Sequence, residues 1–193
     1  MDIAMRHKSD GTRRVPPMKF ALWVSLASIS MMFAGFISAY IVRMAAGNWL
    51  EFELPSLFLA STMIIIMTSL TLHGSFLSLR AKKEMRYKGL LVLSFLLGLA
   101  FITVQYLGWM ELQSIGIDLK GNPSGAFVYM ISGVHLAHVV AGIAVLVVAL
   151  MHAFGLPFIV TQKRIERLDL TCQYWHYVDL LWVVLFLFLT YYR

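Results

Sequence analysis

The chain of 193 residues contains five long apolar runs in which the only formally charged side chain is that of Asp179. The runs cover approximately residues 20–42, 54–79, 89–110, 125–152 and 173–192. About 20 apolar residues in an α-helix are enough to cross the roughly 30 Å of hydrocarbon in a bilayer. Hydrophobic residues make up 60% of the chain and charged residues 13%, a balance that excludes an ordinary soluble domain. The sequence therefore predicts an all-α integral membrane bundle of five transmembrane helices.

The basic residues are distributed unevenly between the segments that connect these runs. If the N-terminus is cytoplasmic, 13 of the 16 Lys and Arg residues lie on the cytoplasmic side, and only Arg43, Lys120 and Arg193 lie opposite. Short cytoplasmic segments collect Lys and Arg. We therefore predict a basic cytoplasmic tail over residues 1–19, a single transmembrane domain over residues 20–193, and a periplasmic C-terminus. Topology alone accounts for the net charge of +6, so we expect no nucleic-acid partner.

Two titratable residues, His176 and Asp179, lie near the cytoplasmic end of the last run. Charged groups are costly inside a membrane and usually face the interior of a bundle, which makes them the first candidates for function. Because residues three apart share a helix face, we expect these two side chains to hydrogen-bond or ion-pair. Trp175 and Trp182 extend the same stripe. The pair either orients the last helix or handles protons or contacts a partner near the cytoplasmic surface.

The other polar candidates within the runs are His73, Gln105, His135 and His138. We expect the rings of His135 and His138 to hydrogen-bond to neighbouring helices. His73 lies at a depth similar to that of His176, so this is the one pair that could bracket a haem. A haem-binding membrane cytochrome is therefore a distant alternative. A transporter is disfavoured, because the chain has no inverted repeat and no helix broken at mid-membrane.

Small residues recur four apart on two of the runs, and in lipid such stripes allow helices to approach closely. We expect both stripes to be packing surfaces. The stripe residues are Ala34, Gly35, Ser38 and Ala39 on the first run and Gly133, Ala137 and Ala141 on the fourth.

Two stretches in adjacent runs resemble the cytochrome c oxidase subunit III family of the haem-copper terminal oxidases. "SGVHLAHVVAGIAVL" resembles the family's G-x-H-x-x-H-V-x-x-G helix, and "YWHYVDLLWVVLF" resembles its last helix, W-H-[FY]-V-D-x-x-W. Weaker similarity includes "GFISAY", His73 and Gln105, so that the resemblance runs from about Lys19 to the C-terminus. Five spans are similar to the short bacterial form of the family. The matching motif residues are Gly133, His135, His138, Gly142, Trp175, His176, Val178, Asp179 and Trp182.

The resemblance implies an accessory, cofactor-free subunit III of a proton-translocating oxidase that reduces oxygen in the bacterial cytoplasmic membrane. Haem and copper would lie in partner subunits, and this chain would bind no metal. It would contact subunit I, subunit II and further respiratory complexes, hold phospholipid and support proton uptake. A membrane-embedded glutamate of long members has no counterpart in "SLASISMMFAG", so roles attached to that acid do not transfer. The alternative within the family is a subunit III of a quinol oxidase or a nitric-oxide-reductase-associated homologue.

Overall fold

The protein, seen in a computed structural model that describes residues 16–192, consists of α-helices joined by short connections. The five helices are α1 (Pro17–Ala45), α2 (Ser56–Arg80), α3 (Glu84–Ser114), α4 (Pro123–Gly155) and α5 (Gln162–Tyr191). All five are long and apolar enough to cross a membrane, and no strand occurs within residues 16–192. The predicted all-α bundle of five spans is confirmed. Most of the predicted basic tail, residues 1–15, lies outside the described residues, and the orientation in the membrane stays a prediction.

The ends of the helices follow local sequence signals. Helix α1 begins at Pro17, in the first turn, where the missing N–H of proline costs no hydrogen bond. Helix α4 begins at Pro123, and the Asn122 side chain caps it by accepting a hydrogen bond from the backbone N–H of Ser124 at 2.9 Å. The same helix ends at Gly155, two residues before Pro157, as the "FGLPF" stretch predicts.

Two boundaries differ from the prediction. Helix α5 begins at Gln162 and not near residue 173, because "QKRIERLDLTC" contains no helix breaker and Thr161 Oγ1 caps the new start. An apolar run measures only the part of a helix that meets lipid, whereas the helix itself continues through the polar interface. The connection between α2 and α3 is likewise only residues 81–83, where Lys82 adopts a left-handed conformation with a φ of 57°.

Helices α2 to α5 form the body of the bundle, and α1 lies at its edge. Helix α2 packs against α3 and α5, α3 also packs against α4, and α4 packs against α5. Helix α1 contacts α4 and α5, and of its side chains only Phe33 and Tyr40 are fully buried. Ser30 of α1 hydrogen-bonds to Tyr177 at 2.6 Å, and the Tyr40 hydroxyl donates to the backbone carbonyl of Tyr192 at 2.6 Å.

Both small-residue stripes face outward. All four stripe residues of α1 are exposed, and a Cβ added to Gly35 would meet no atom within 4 Å. On α4, Ala137 and Ala141 are exposed and Gly133 is half-buried. The expected packing is seen at Gly133, where an added Cβ would lie 3.9 Å from Cη2 of Trp109 on α3. The exposed stripe residues meet no such neighbour, because the interior positions of α1 and α4 are filled by larger side chains such as Phe33 and Val139.

Candidate functional site

The inner face of α5 carries three residues of the last-helix motif. Trp175, Asp179 and Trp182 are 1%, 4% and 0% exposed, so the spacing of four and three residues does place them on one buried face. They point toward α2, α3 and α4, which surround the stripe. The candidate site is thus the centre of the bundle, and the other candidate residues can be placed relative to it.

His176 and Asp179 are not hydrogen-bonded to each other, which corrects the expectation for this pair. His176 turns toward α2, where its Nδ1 forms a short hydrogen bond with the Ser69 hydroxyl. Neither carboxyl oxygen of Asp179 makes a hydrogen bond within residues 16–192. The physical reason is that His176 lies at the edge of the buried face of α5, whereas Asp179, three residues on, lies inside the bundle. At the edge, His176 has a polar partner on α2.

Ser69 is the polar residue that connects the two members of this motif. Its hydroxyl is hydrogen-bonded to the His176 ring and lies near the Asp179 carboxyl without a hydrogen bond to it. The ring of His73, one turn further along α2, lies 5.5 Å from that of His176, centroid to centroid. His73 is exposed, His176 and Ser69 are half-buried, and Asp179 is buried. The four side chains therefore run from the surface of the bundle to its interior.

His135 lies in an aromatic cage and not in a hydrogen-bond network. Its fully buried ring is stacked on Trp182, with centroids 4.7 Å apart and an interplanar angle of 29°. Phe101 contacts the same ring edge-on at 6.0 Å, and Phe33 does so at 6.4 Å. Within the described part of the chain neither ring nitrogen has a hydrogen-bond partner. The expected hydrogen bond from His135 to a neighbouring helix is wrong, because aromatic side chains occupy the space around its ring.

His138 is also bound differently from the expectation. Its Nδ1 lies 2.8 Å from the carbonyl oxygen of Val134 on its own helix. The tie to a neighbouring helix is made by the backbone instead, since the carbonyl of His138 accepts a hydrogen bond of 2.8 Å from the Tyr174 hydroxyl on α5. The ring itself packs edge-on against Phe33 of α1 at 5.9 Å. His138 therefore contributes to packing among α1, α4 and α5.

Gln105 and Trp182 anchor α2 through buried hydroxyl groups. The side-chain oxygen of Gln105 accepts a hydrogen bond of 3.1 Å from Ser61, which joins α3 to α2. The indole N–H of Trp182 donates to the Thr62 hydroxyl at 3.0 Å, which joins α5 to α2. Such bonds between membrane helices contribute roughly 0.6 kcal/mol each on average. Sequence reasoning missed both hydroxyl partners, although Ser61, Thr62 and Ser69 share the polar side of α2.

Trp175 fills a space that two glycines leave open. A Cβ at Gly142 on α4 would lie 3.2 Å from Cε2 and Cζ2 of the Trp175 ring, and a Cβ at Gly98 on α3 would lie 3.3 Å from its Cη2. The Gly142 of the fourth-helix motif and the Trp175 of the last-helix motif are therefore in direct contact. The two motifs that carry the resemblance form one packing unit.

The arrangement of histidines does not suit a haem. His73 and His176 come close, but α2 and α5 touch on both sides of them: Cys172 Sγ lies 3.8 Å from the carbonyl of Leu72, and Trp182 binds Thr62. A macrocycle between the two rings would have to separate these contacts. Within residues 16–192, no group of three or more His, Cys, Asp or Glu side chains is placed to hold a metal ion.

A second feature is an apolar cleft between α1, α4 and the start of α5, with a volume of about 660 Å³. Its wall consists largely of small and aliphatic side chains, among them Leu22, Val145 and Ala149, while Arg164 and Arg167 lie at its edge. The Arg164 guanidinium donates to the carbonyls of His152 at 2.8 Å and Pro157 at 3.3 Å, and neither arginine has a carboxylate partner among the described residues. The cleft was not predicted from the sequence, because it depends on the angle at which α1 leaves the bundle.

Comparison with known proteins gives a family and several relatives. The family model described as cytochrome c oxidase subunit III matches residues 15–193. A protein of Corynebacterium diphtheriae named cytochrome c oxidase subunit 3 is 27% identical over 194 residues, which cover 96% of this chain and 93% of the relative. A probable cytochrome c oxidase subunit 3 of Mycobacterium tuberculosis is 27% identical, with 84% of this chain and 82% of the relative covered.

A third relative carries a different name. A probable quinol oxidase subunit 3 of Staphylococcus haemolyticus is 24% identical over 174 residues, which cover 87% of this chain and 85% of the relative. Relatives of similar length and similar identity are thus named after two kinds of oxidase.

Proposed function

Because the chain belongs to the cytochrome c oxidase subunit III family, we propose that it is an accessory, cofactor-free subunit whose oxidase carries out redox chemistry in other subunits. As a subunit of this family it is an integral membrane protein of a bacterial respiratory oxidase. The observation that carries the proposal is that the polar side chains in the interior of the bundle form hydrogen bonds between its helices. Gln105, Trp182 and His176 are each engaged with a side chain of α2, which ties helices to one another.

The outward stripes support a partner on the membrane-embedded surface of the chain. Small residues favour close contact between helices in lipid, and the four stripe residues of α1, together with Ala137 of α4, are exposed. We assign this role to oxidase subunit I, the large membrane-embedded neighbour, with subunit II and further respiratory complexes as additional contacts. The roles of His73, His135, His138 and Trp175 are in this proposal structural, since each packs within or beside the bundle.

Purification through this chain in a mild detergent tests the partner. We expect a larger, haem-containing subunit to co-purify with the wild-type chain. Ala39→Leu, which adds bulk to the outward stripe of α1, should lower that yield several-fold. Ala60→Leu makes the same change at an exposed position of α2 and serves as the matched control. Equal yields from both variants would remove the α1 stripe from the interface, and a stoichiometric haem band from the chain alone would refute the accessory role.

The arginine-edged cleft supports the proposed binding of phospholipid. Acyl chains match its aliphatic wall, and the positive charges of Arg164 and Arg167, which have no carboxylate partner within residues 16–192, match a phosphate group near the membrane surface. Lipid analysis of the purified complex tests this: we expect phospholipid that survives repeated detergent washing. The proposal is contradicted if repeated washing removes all phospholipid, or if the complex retains the same number of phospholipids when this chain is absent.

The electron donor follows from the partner subunits. We propose cytochrome c, since the relative that covers 96% of this chain is named cytochrome c oxidase subunit 3. A quinol donor is the second candidate, because the staphylococcal relative is named a quinol oxidase subunit 3. Oxygen uptake by the purified complex with reduced cytochrome c, compared with uptake driven by a quinol, decides between them. The same assay at alkaline pH, with and without this chain, tests the proposed support of proton uptake.

A further inference from the structure

The carboxyl group of Asp179 lies buried between α2 and α5 without a hydrogen-bond partner among the described residues. Asp179 is 4% exposed, and neither of its oxygens makes a hydrogen bond within residues 16–192. An ionised carboxylate in such a place is strongly destabilising unless a cation or several donors compensate it. The geometry instead suits a neutral carboxylic acid.

The helices around Asp179 supply no compensating cation. The titratable groups of α2 and α5 nearest to it are His73 and His176, and α4 contributes the caged ring of His135. The nearest acid on α5, Asp169, lies more than two turns away and faces Lys19 at 3.8 Å. The basic residues of α3 in its first turns, Arg86 and Lys88, lie at the opposite end of that helix from Gln105. The titratable groups nearest to Asp179 on the neighbouring helices are therefore histidines, which can exchange protons but carry no permanent positive charge.

A continuous series of such groups leads from Asp179 to the surface of the bundle. The Asp179 carboxyl lies near the Ser69 hydroxyl without a hydrogen bond to it, and this hydroxyl is hydrogen-bonded to Nδ1 of His176. The His176 ring lies 5.5 Å from that of His73, a separation that a direct hydrogen bond or one bridging water can span. Exposure increases at the end of this series, since His73 is on the outside of α2.

We propose that Ser69, His176 and His73 form a proton-exchange path between the buried carboxylic acid of Asp179 and the outer surface of α2. When side-chain motion brings the Asp179 carboxyl within hydrogen-bond distance of the Ser69 oxygen, Asp179 gives its proton to this oxygen while the Ser69 hydroxyl gives its own proton to Nδ1 of His176. The proton on Nε2 of His176 then passes to His73. One proton has moved from Asp179 to His73, Ser69 is unchanged, and the return passage restores the original tautomer of His176.

The path is independent of the oxygen chemistry and goes beyond the proposed accessory function. Asp179 can exchange its proton whether or not turnover of the oxidase depends on it. A failure of the path therefore leaves the accessory role intact, and a failure of the accessory role leaves the exchange measurable in the isolated chain.

Infrared difference spectroscopy of the purified complex on transfer from H₂O to D₂O tests the proposal. The carbonyl stretch of a protonated carboxylic acid shifts on deuteration, and the band lost in Asp179→Asn identifies the residue. We expect this band in the wild type, and we expect Ser69→Ala to slow its deuteration by at least about tenfold. Ser78→Ala removes a hydroxyl on the same helix that donates to the carbonyl of Gly74, and it should exchange like the wild type.

His73→Phe provides a second test at an exposed position, where the substitution leaves the interior packing unchanged. It should also slow deuteration of the Asp179 band. The proposal is overturned if no band is lost in Asp179→Asn, or if Ser69→Ala exchanges at the rate of the wild type. Slowing in Ser69→Ala without slowing in His73→Phe would overturn the outer part of the path.

Discussion

Gly142 is the position where one added methyl group tests the contact between the two motifs. A Cβ there would lie 3.1 Å from Cε1 of Tyr174 and 3.2 Å from two ring atoms of Trp175. Carbon atoms in a packed interior keep separations of about 3.5–4.0 Å, so the α5 rings would have to move by a few tenths of an ångström. Trp175 has no free space to move into, because its far edge faces Gly98 on α3.

The expected magnitude follows from two opposing effects. Replacing glycine by alanine in a helix contributes up to about 1 kcal/mol of stability, whereas overpacking a filled interior costs about 1–3 kcal/mol. Subtracting the gain from the cost, we expect Gly142→Ala to lower the free energy of unfolding by up to about 2 kcal/mol. The shorter ring of Trp175→Phe removes the two close contacts with the indole but leaves the one with Cε1 of Tyr174, so in that background Gly142→Ala should be less destabilising than in the wild type. The coupling energy between the two substitutions is then the share of the overpacking cost that the indole causes, on the order of 1 kcal/mol.

Unfolding by increasing SDS in mixed micelles, followed by near-ultraviolet circular dichroism, measures the four variants of this cycle. Gly35→Ala is the matched control, since its new Cβ meets no atom within 4 Å, and its effect should be the same in both backgrounds. If the effects of Gly142→Ala and Trp175→Phe are additive within about 0.5 kcal/mol, the close packing of Gly142 against Trp175 is refuted.

Three further predictions concern the interior and the cleft. Asp179→Asn keeps the shape of a neutral carboxylic acid but cannot release a proton, so it should slow proton uptake without loss of haem from the partner; normal turnover at alkaline pH would show the carboxyl to be dispensable. Ala149→Phe should fill the cleft and reduce tightly bound phospholipid by about one molecule per chain in lipid mass spectrometry, whereas Val147→Phe, on the opposite side of α4, should not. Trp182→Phe and Thr62→Val should each destabilise the bundle by roughly 0.6–1 kcal/mol or more, and a double variant no worse than the single ones would locate the loss in their shared hydrogen bond.

The number and class of the helices could be predicted from the sequence because crossing a membrane imposes a minimum apolar length. The start of α5 could not be predicted, because residues 162–172 are largely polar yet helical. High hydropathy marks only the part of a helix that lies in the hydrocarbon of the membrane. The short connection between α2 and α3 was missed for the same reason. The basic residues around this connection are typical of a loop, although most of them belong to the ends of α2 and α3 that project into the membrane–water interface.

The site shows where sequence spacing stops being informative. Spacing along α5 correctly placed Trp175, Asp179 and Trp182 on one face, because helix geometry fixes the relation between residues of the same helix. It could not identify Ser69 as the partner of His176, since that contact depends on the register between α2 and α5. The His176 and Asp179 pair failed as a prediction because a competing hydroxyl on another helix lay closer than the neighbour in sequence.

The distribution of polar contacts divides the bundle into a self-sufficient part and a dependent one. Buried hydrogen bonds and ring contacts join α2 to α3 and α5, and the Trp175 ring lies between α3 and α4. Helix α1 has instead three hydrogen bonds at its edges with α5, two fully buried side chains and an outward stripe of small residues. In lipid, where no hydrophobic force drives helices together, close packing on a second side is what would fix such a helix. A partner packed on the α1 stripe, as proposed, would therefore fix the position of α1 and with it the width of the cleft that it borders, which links the proposed partner surface to the proposed lipid site.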